Sequence, residues 1–174
     1  MKIIIIISSL LYSTCLLSQS KLKFDETNID SINEVKSLLM GEWIFIELQN
    51  GSGQKVERIY HKEWEALGLS AIETVNRPNI TFNINTFEKQ FTAVNIDSGY
   101  WDVDIKTRAI KYQLYIDPKS EVGQDLIKRK LAKKADNGNY YEEVSDQIYH
   151  ISNNQLVLKE SNGHYMILSR KYKE

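Results

Sequence analysis

The sequence predicts an all-β fold in which a meander of short antiparallel strands closes into a barrel or splits into a sandwich. Three observations carry this. Apolar residues alternate with polar ones at a period of two in run after run. The runs are separated by tight-turn sequences such as Asn50-Gly51, Lys106-Thr107-Arg108, Asn153-Asn154 and Ser161-Asn162-Gly163. The 174-residue chain also carries 10 tyrosines against 2 prolines, a bias toward strand-formers. A sheet of about eight strands removes its exposed edges by closing or by splitting, and strand count alone does not choose between the two.

The first segment stands apart from the fold. Lys2 gives a short positive start, Ile3 to Leu17 an apolar run, and Ser18-Gln19-Ser20 a small-x-small cleavage site. The run falls short of the ~20 residues that span a bilayer. Residues 1–20 therefore read as a signal peptide and 21–30 as a polar leader, with one domain over 31–174. The expectation is an exported protein, periplasmic or secreted, with no transmembrane segment in its mature chain. Cys15, the single cysteine, is the alternative as a lipid anchor. Tyr12-Ser13-Thr14 before it and Leu16-Leu17 after it do not suit that role. Loss of Cys15 with the signal removes thiol nucleophiles, disulfides and cysteine–zinc sites.

The domain opens with Ser31 and Glu34 in capping-box spacing, and Val35, Leu38 and Leu39 share one helical face. A short helix ending at Gly41 follows from this. From Trp43 the period drops to two, with Trp43, Phe45 and Glu47 on one face. Residues 54–61 read as a second strand, hairpin-linked through Asn50–Gly53. Residues 62–78 fit a helical turn or a long loop.

Regular alternation then returns. Residues 79–85 place Ile80, Phe82 and Ile84 together, and residues 89–97 read as a further strand. Residues 98–106 set Trp101, Val103 and Ile105 opposite Asp102 and Asp104. In residues 109–117, Ile110, Tyr112, Leu114 and Ile116 share a face. Residues 123–138 predict an interior helix, with Asp125 as N-cap and Gly138 as its stop. The final strands carry Leu158, then Met166, Leu168 and Arg170.

Gly41-Glu42-Trp43, after a short helix and with Arg170 near the end of the last strand, resembles the lipocalin family. More closely, it resembles the short lipocalin-like domains of secreted bacterial proteins. The resemblance implies an up-and-down antiparallel β-barrel of about eight strands with a short N-terminal helix and one helical insertion. It also implies that Trp43 lies across a closed base, with Arg170 packed over its ring. In such a barrel the first and last strands are antiparallel neighbours, so the start of one meets the end of the other. Two features depart from the family: there is no Thr-Asp-Tyr turn motif, and the helical insertion precedes the last strands.

The implied function is non-covalent binding of a small hydrophobic molecule inside the barrel. Phe45, Phe82, Phe91, Trp101, Val103, Tyr112, Leu114, Leu158 and Met166 are the candidate lining, with Glu47 near the mouth. Glu47 would hold a ligand's hydroxyl or amine there, or simply reach solvent at a strand end. The alternative is a filled barrel that contacts a protein partner through its surface.

Other classes are disfavoured. A net charge of −1 gives no field for nucleic acid. His61, His150 and His164 are too scattered for metal spacing, and no cofactor motif occurs. There is no nucleophile elbow or phosphate loop, and Asp102 with Asp104 reads as a solvated face, so no catalytic residues are expected. The basic residues of 128–134 read as the wet side of a helix. Asn79-Ile80-Thr81 matches a glycosylation sequon but falls within a strand.

Overall fold

The computed structural model describes residues 32–172; the segments read as signal peptide (1–20) and polar leader (21–30), and the expected helix cap Ser31, lie outside the described residues. Helix α1 (Ile32–Leu39) leads directly into β1 (Gly41–Gln49). After a long insertion come β4 (Asn79–Phe82), β5 (Thr86–Gln90), β6 (Ile96–Asp104) and β7 (Ala109–Ile116). The last three strands of the ring are β9 (Tyr140–Ile151), β10 (Gln155–Lys159) and β11 (Tyr165–Arg170). These eight pair as consecutive antiparallel neighbours, and β11 returns to β1, so the sheet closes on itself. Closure leaves no free edge in the eight-stranded ring, one of the two outcomes compatible with the alternating pattern.

Each strand turns one row of side chains inward. Trp101 and Val103 on β6, Ile110 and Tyr112 on β7, Leu156 and Leu158 on β10, and Met166 and Leu168 on β11 join one buried cluster. Gly99 is where β6 and β7 approach most closely. A Cβ there would stand 1.8 Å from the Gln113 carbonyl oxygen, so no larger residue fits without moving the backbone.

The base is built by α1, β1 and β11. Val35 and Leu39 bury the apolar face of α1 against the barrel. Trp43 is fully buried, donates from Nε1 to the Leu39 carbonyl at 2.7 Å, and sits opposite Arg170 in the β1–β11 ladder. The Arg170 guanidinium lies 4.3 Å from the centre of the Trp43 ring and donates to the carbonyls of Leu38, Met40 and Asn153. Gly41 has φ +113°, and a Cβ on it would approach Arg170 Nη1 to 2.9 Å. Glycine is thus required where the helix hands over to the strand.

Several sequence expectations change. The segment 54–61 adds no barrel strand: β2 (Arg58–Tyr60) pairs only with β3 (Ile72–Thr74), as a separate ribbon. The hairpin at Asn50–Gly53 closes with the Gln49–Lys55 bridge and goes no further. Between β2 and β3, residues 62–78 begin with a helical turn, α2 (Lys62–Ala66). Residues 89–97 are no single strand either. They contain the end of β5, a turn through Phe91–Asn95 and the start of β6, because Thr92 Oγ1 accepts from the amides of Val94 and Asn95. Ile84 falls in the β4–β5 turn and is exposed.

The helical insertion is shorter than expected. Helix α3 spans Glu121–Lys128 and is capped by Ser120, whose hydroxyl accepts from Gly123 N, rather than by Asp125. Lys130 takes the left-handed conformation (φ 59°), and the Leu131 and Ala132 amides donate back to Leu126 O, ending the helix. The basic run therefore leaves the helix. Lys133 and Lys134 form β8 (Lys133–Lys134), paired to Tyr141 and Tyr140, with Gly138 in the turn to β9.

Candidate functional site

Inward-facing side chains divide the interior into a filled part and a polar part. Phe82 meets Trp101 at 4.9 Å and Tyr112 at 6.3 Å between ring centres, and Phe87 meets Tyr112 at 4.6 Å. With Trp43 beneath, these rings occupy the lower barrel. Beyond them, Phe45, Leu114 and Val144 are only half-buried while still packing on the core.

The polar part is set by Lys89 and Asp146. Lys89 follows Phe87 on the inward row of β5, and Asp146 lies between Val144 and Ile148 on the inward row of β9. β6 and β7 separate the two strands in the sheet, so the pair reaches across the curved interior. Lys89 Nζ donates to Asp146 Oδ2 at 2.8 Å; the side chains are 12% and 29% exposed, so solvent reaches the carboxylate more than the ammonium. The same ammonium rests 3.9 Å from the centre of the Tyr112 ring. Tyr112 is fully buried, and its hydroxyl has no hydrogen-bond partner of ordinary geometry among the described residues. Burial first, then the neighbouring Asp146 carboxylate, hold that phenol well above its usual pKa. It therefore stays protonated as a donor.

The residues proposed from sequence distribute over both parts and beyond them. Phe82, Trp101, Tyr112, Leu158 and Met166 are buried in the packed cluster, and Phe45 and Leu114 border the polar part. Phe91 sits half-buried in the β5–β6 turn instead of on a strand; Phe87 takes the core position. Glu47 does not face inward. The β1–β11 register slips between Phe45 and Glu47, so Glu47 stands opposite Ile167, and Leu48, opposite Met166, takes the inward place. Glu47 accepts from Gln49 Nε2 at 2.6 Å.

Lys89 and Asp146 were missed because both are charged, and a charge on a strand is ordinarily placed in solvent. The signal was present. Each is two residues from an apolar residue on its own strand, Phe87 or Ile148, and so on the same face.

The insertion between β1 and β4 closes over the end away from α1. Ile59 of β2 joins the buried cluster, and Val56 and Val75 pack against it. Arg77 fastens this segment through two hydrogen bonds to Glu160, in the β10–β11 turn, and one of 2.8 Å to Glu73. These carboxylates hold the guanidinium far above its usual pKa, Glu160 contributing most. Glu73 also meets His61 Nε2 at 2.7 Å, and His61 stacks on Trp64 with ring centres 3.9 Å apart.

A groove of about 610 Å³ lies on the outer face of β6, β7 and β9. Tyr100, Gln113 and Glu143 form one side and Asp102, Lys111 and Ser145 the other, following the ladder register. Asp102 is paired with Lys36 of α1 at 2.7 Å. Lys111 is paired with Asp104 at 2.8 Å, which holds the Asp104 carboxyl down at about 2, its hydrogen bond to Lys111 being the chief cause. Among the described residues, no group of three or more His, Cys, Asp and Glu side chains is placed to hold a metal ion. No described helix is long and apolar enough to cross a membrane.

A closed up-and-down ring of eight strands, entered by a short helix and plugged by tryptophan beneath arginine, defines the architecture. The fold is lipocalin-like. No protein-family model matches the chain, and no curated protein matches it. Among solved structures it is similar to a lipocalin-like protein from Bacteroides uniformis, with 14% identity and TM-score 0.42 over 78% of this chain and 99% of that one. It is similar to an uncharacterized protein from Bacteroides eggerthii, with 15% identity and TM-score 0.44 over 76% of this chain and 99% of the other. It is also similar to a DUF4847-family protein from Bacteroides vulgatus, with 15% identity and TM-score 0.42 over 83% and 100%. The lipocalin-like assignment rests on this chain's own strand order and base.

Proposed function

We propose that this lipocalin-like protein binds a small hydrophobic molecule non-covalently inside its barrel, without catalysing a reaction, after export from the cell. The observation that carries this reading is the Lys89–Asp146 pair on the inward rows of β5 and β9, set among apolar side chains that include the half-buried Leu114 and Val144. An apolar cup with a few polar groups is the usual build of a small-molecule site. Binding would desolvate the ligand against those apolar faces and orient it by the polar pair.

A second reading, a filled barrel acting as a protein-interaction module, draws on the outer groove over β6, β7 and β9. Native mass spectrometry of the protein purified from its host's periplasm or medium separates the two. A co-purifying small molecule in near-stoichiometric amount supports the barrel reading. A bare mass that captures nothing from a lipid extract favours the module. The mature N-terminus read in the same spectrum tests export and cleavage after Ser20.

A further inference from the structure

We infer that the molecule bound in the barrel is uncharged and carries a hydrogen-bond-accepting oxygen — a long-chain amide, ketone or alcohol — received by Tyr112 and Lys89. This rests on the proposed binding in the barrel and specifies its ligand. The Tyr112 hydroxyl is fully buried and protonated, and among the described residues no partner meets it in ordinary hydrogen-bond geometry, which a folded protein rarely tolerates unless something completes it. Lys89 stands over the same ring and commits a hydrogen bond to Asp146, while an ammonium carries three donors. Together they hold more donors than the one carboxylate beside them, Asp146, takes up in ordinary geometry.

Charge excludes the ionic candidates. Lys89 and Asp146 already neutralise each other at 2.8 Å. A ligand carboxylate approaching Tyr112 would meet the Asp146 carboxylate, and a ligand ammonium would meet Lys89, both where little water screens them. A carbonyl or hydroxyl oxygen accepts from Tyr112 and Lys89 and meets neither penalty. The half-buried Phe45, Leu114 and Val144 supply the apolar walls for the chain behind it.

The test uses the whole mature protein and the fluorescence of the neutral apolar dye N-phenylnaphthylamine, displaced by dodecanamide, dodecanoate or dodecylamine. Dodecanamide is expected to displace the dye at roughly tenfold lower concentration than either ion, the value of one good hydrogen bond. Tyr112→Phe is expected to shrink that preference to about threefold or less. Asp146→Asn leaves Lys89 unpaired and is expected to make dodecanoate the tightest of the three. Dye binding without any ranking of the three, or a ranking untouched by both variants, overturns the inference and leaves the binding reading standing. Failure of the wild-type protein to bind the dye or any of the three overturns both.

Discussion

The base of the barrel and its polar inner wall are built from the same kinds of side chain to opposite ends. At the base, Arg170 is a cation over an aromatic ring, and three backbone carbonyls take its donors. On the inner wall, Lys89 is also a cation over an aromatic ring, yet the Tyr112 hydroxyl beside it has no partner. Backbone carbonyls that take up the Arg170 donors make a plug; a buried donor left unmet costs stability and is where the proposed ligand would bind.

The largest effect should come from opening the base. Trp43→Ala removes a fully buried indole, its hydrogen bond to Leu39 and the floor of the Arg170 stack. A loss of about 3–5 kcal/mol in urea unfolding is expected. A loss under about 1 kcal/mol would mean the base is not the closed end described.

Next in size is the fastening of the insertion. Glu160→Gln leaves the mostly buried Arg77 with Glu73 alone, and a local loss of about 1–3 kcal/mol is expected. Amide exchange should speed up across β2 and β3 and stay unchanged in α1 and β11. Faster exchange at both ends together would show that the two regions are one cooperative unit.

Tyr112→Phe sharpens the contrast from the other side. It deletes a buried hydroxyl that has no partner, so the variant should be as stable as the parent or up to about 1 kcal/mol more stable. A clear destabilisation would assign the hydroxyl a structural bond and remove it from the site.

The smallest effect is a pH dependence confined to the insertion. Glu73 chiefly, then Glu63, raise the pKa of His61 above its ordinary value, with Arg77 and Trp64 as its other charged and ring neighbours. Because the folded pKa is the higher one, the His61 contribution is fully present below the unfolded pKa of about 6.5 and is lost as pH rises through the folded pKa. Protection factors in β2 and β3, corrected for the base-catalysed intrinsic rate, should therefore fall modestly as pH rises above about 6.5, with those of the base unaffected. His61→Gln should flatten that trend.

Much of this was legible before any coordinates. Alternation located the barrel strands because a closed sheet buries one face of each, and a period of two is the direct trace of that burial. The Gly41-Glu42-Trp43 turn pointed to a base through its resemblance to the lipocalin family, and the structure supplies the reason for the glycine, a φ of +113° beneath an arginine. Other features were illegible for physical reasons. One inserted residue in β1 flips every later side chain, which sends Glu47 out and Leu48 in, and nothing in the local pattern marks it. The helix at α3 stops when Lys130 turns left-handed, a conformation that lysine does not advertise.

What the sequence determined by itself is local: most of the barrel strands, several of the turns between them and the residue that starts the barrel. These follow from periodicity and backbone sterics, which act within a few residues of one another. What only the tertiary structure decided is which polar residues meet inside. Lys89 and Asp146 are 57 residues apart in the chain and come together because β6 and β7 curve the wall between their strands. A charge on a strand is compatible with solvent until closure of the ring turns it inward, and closure is a property of all eight strands at once.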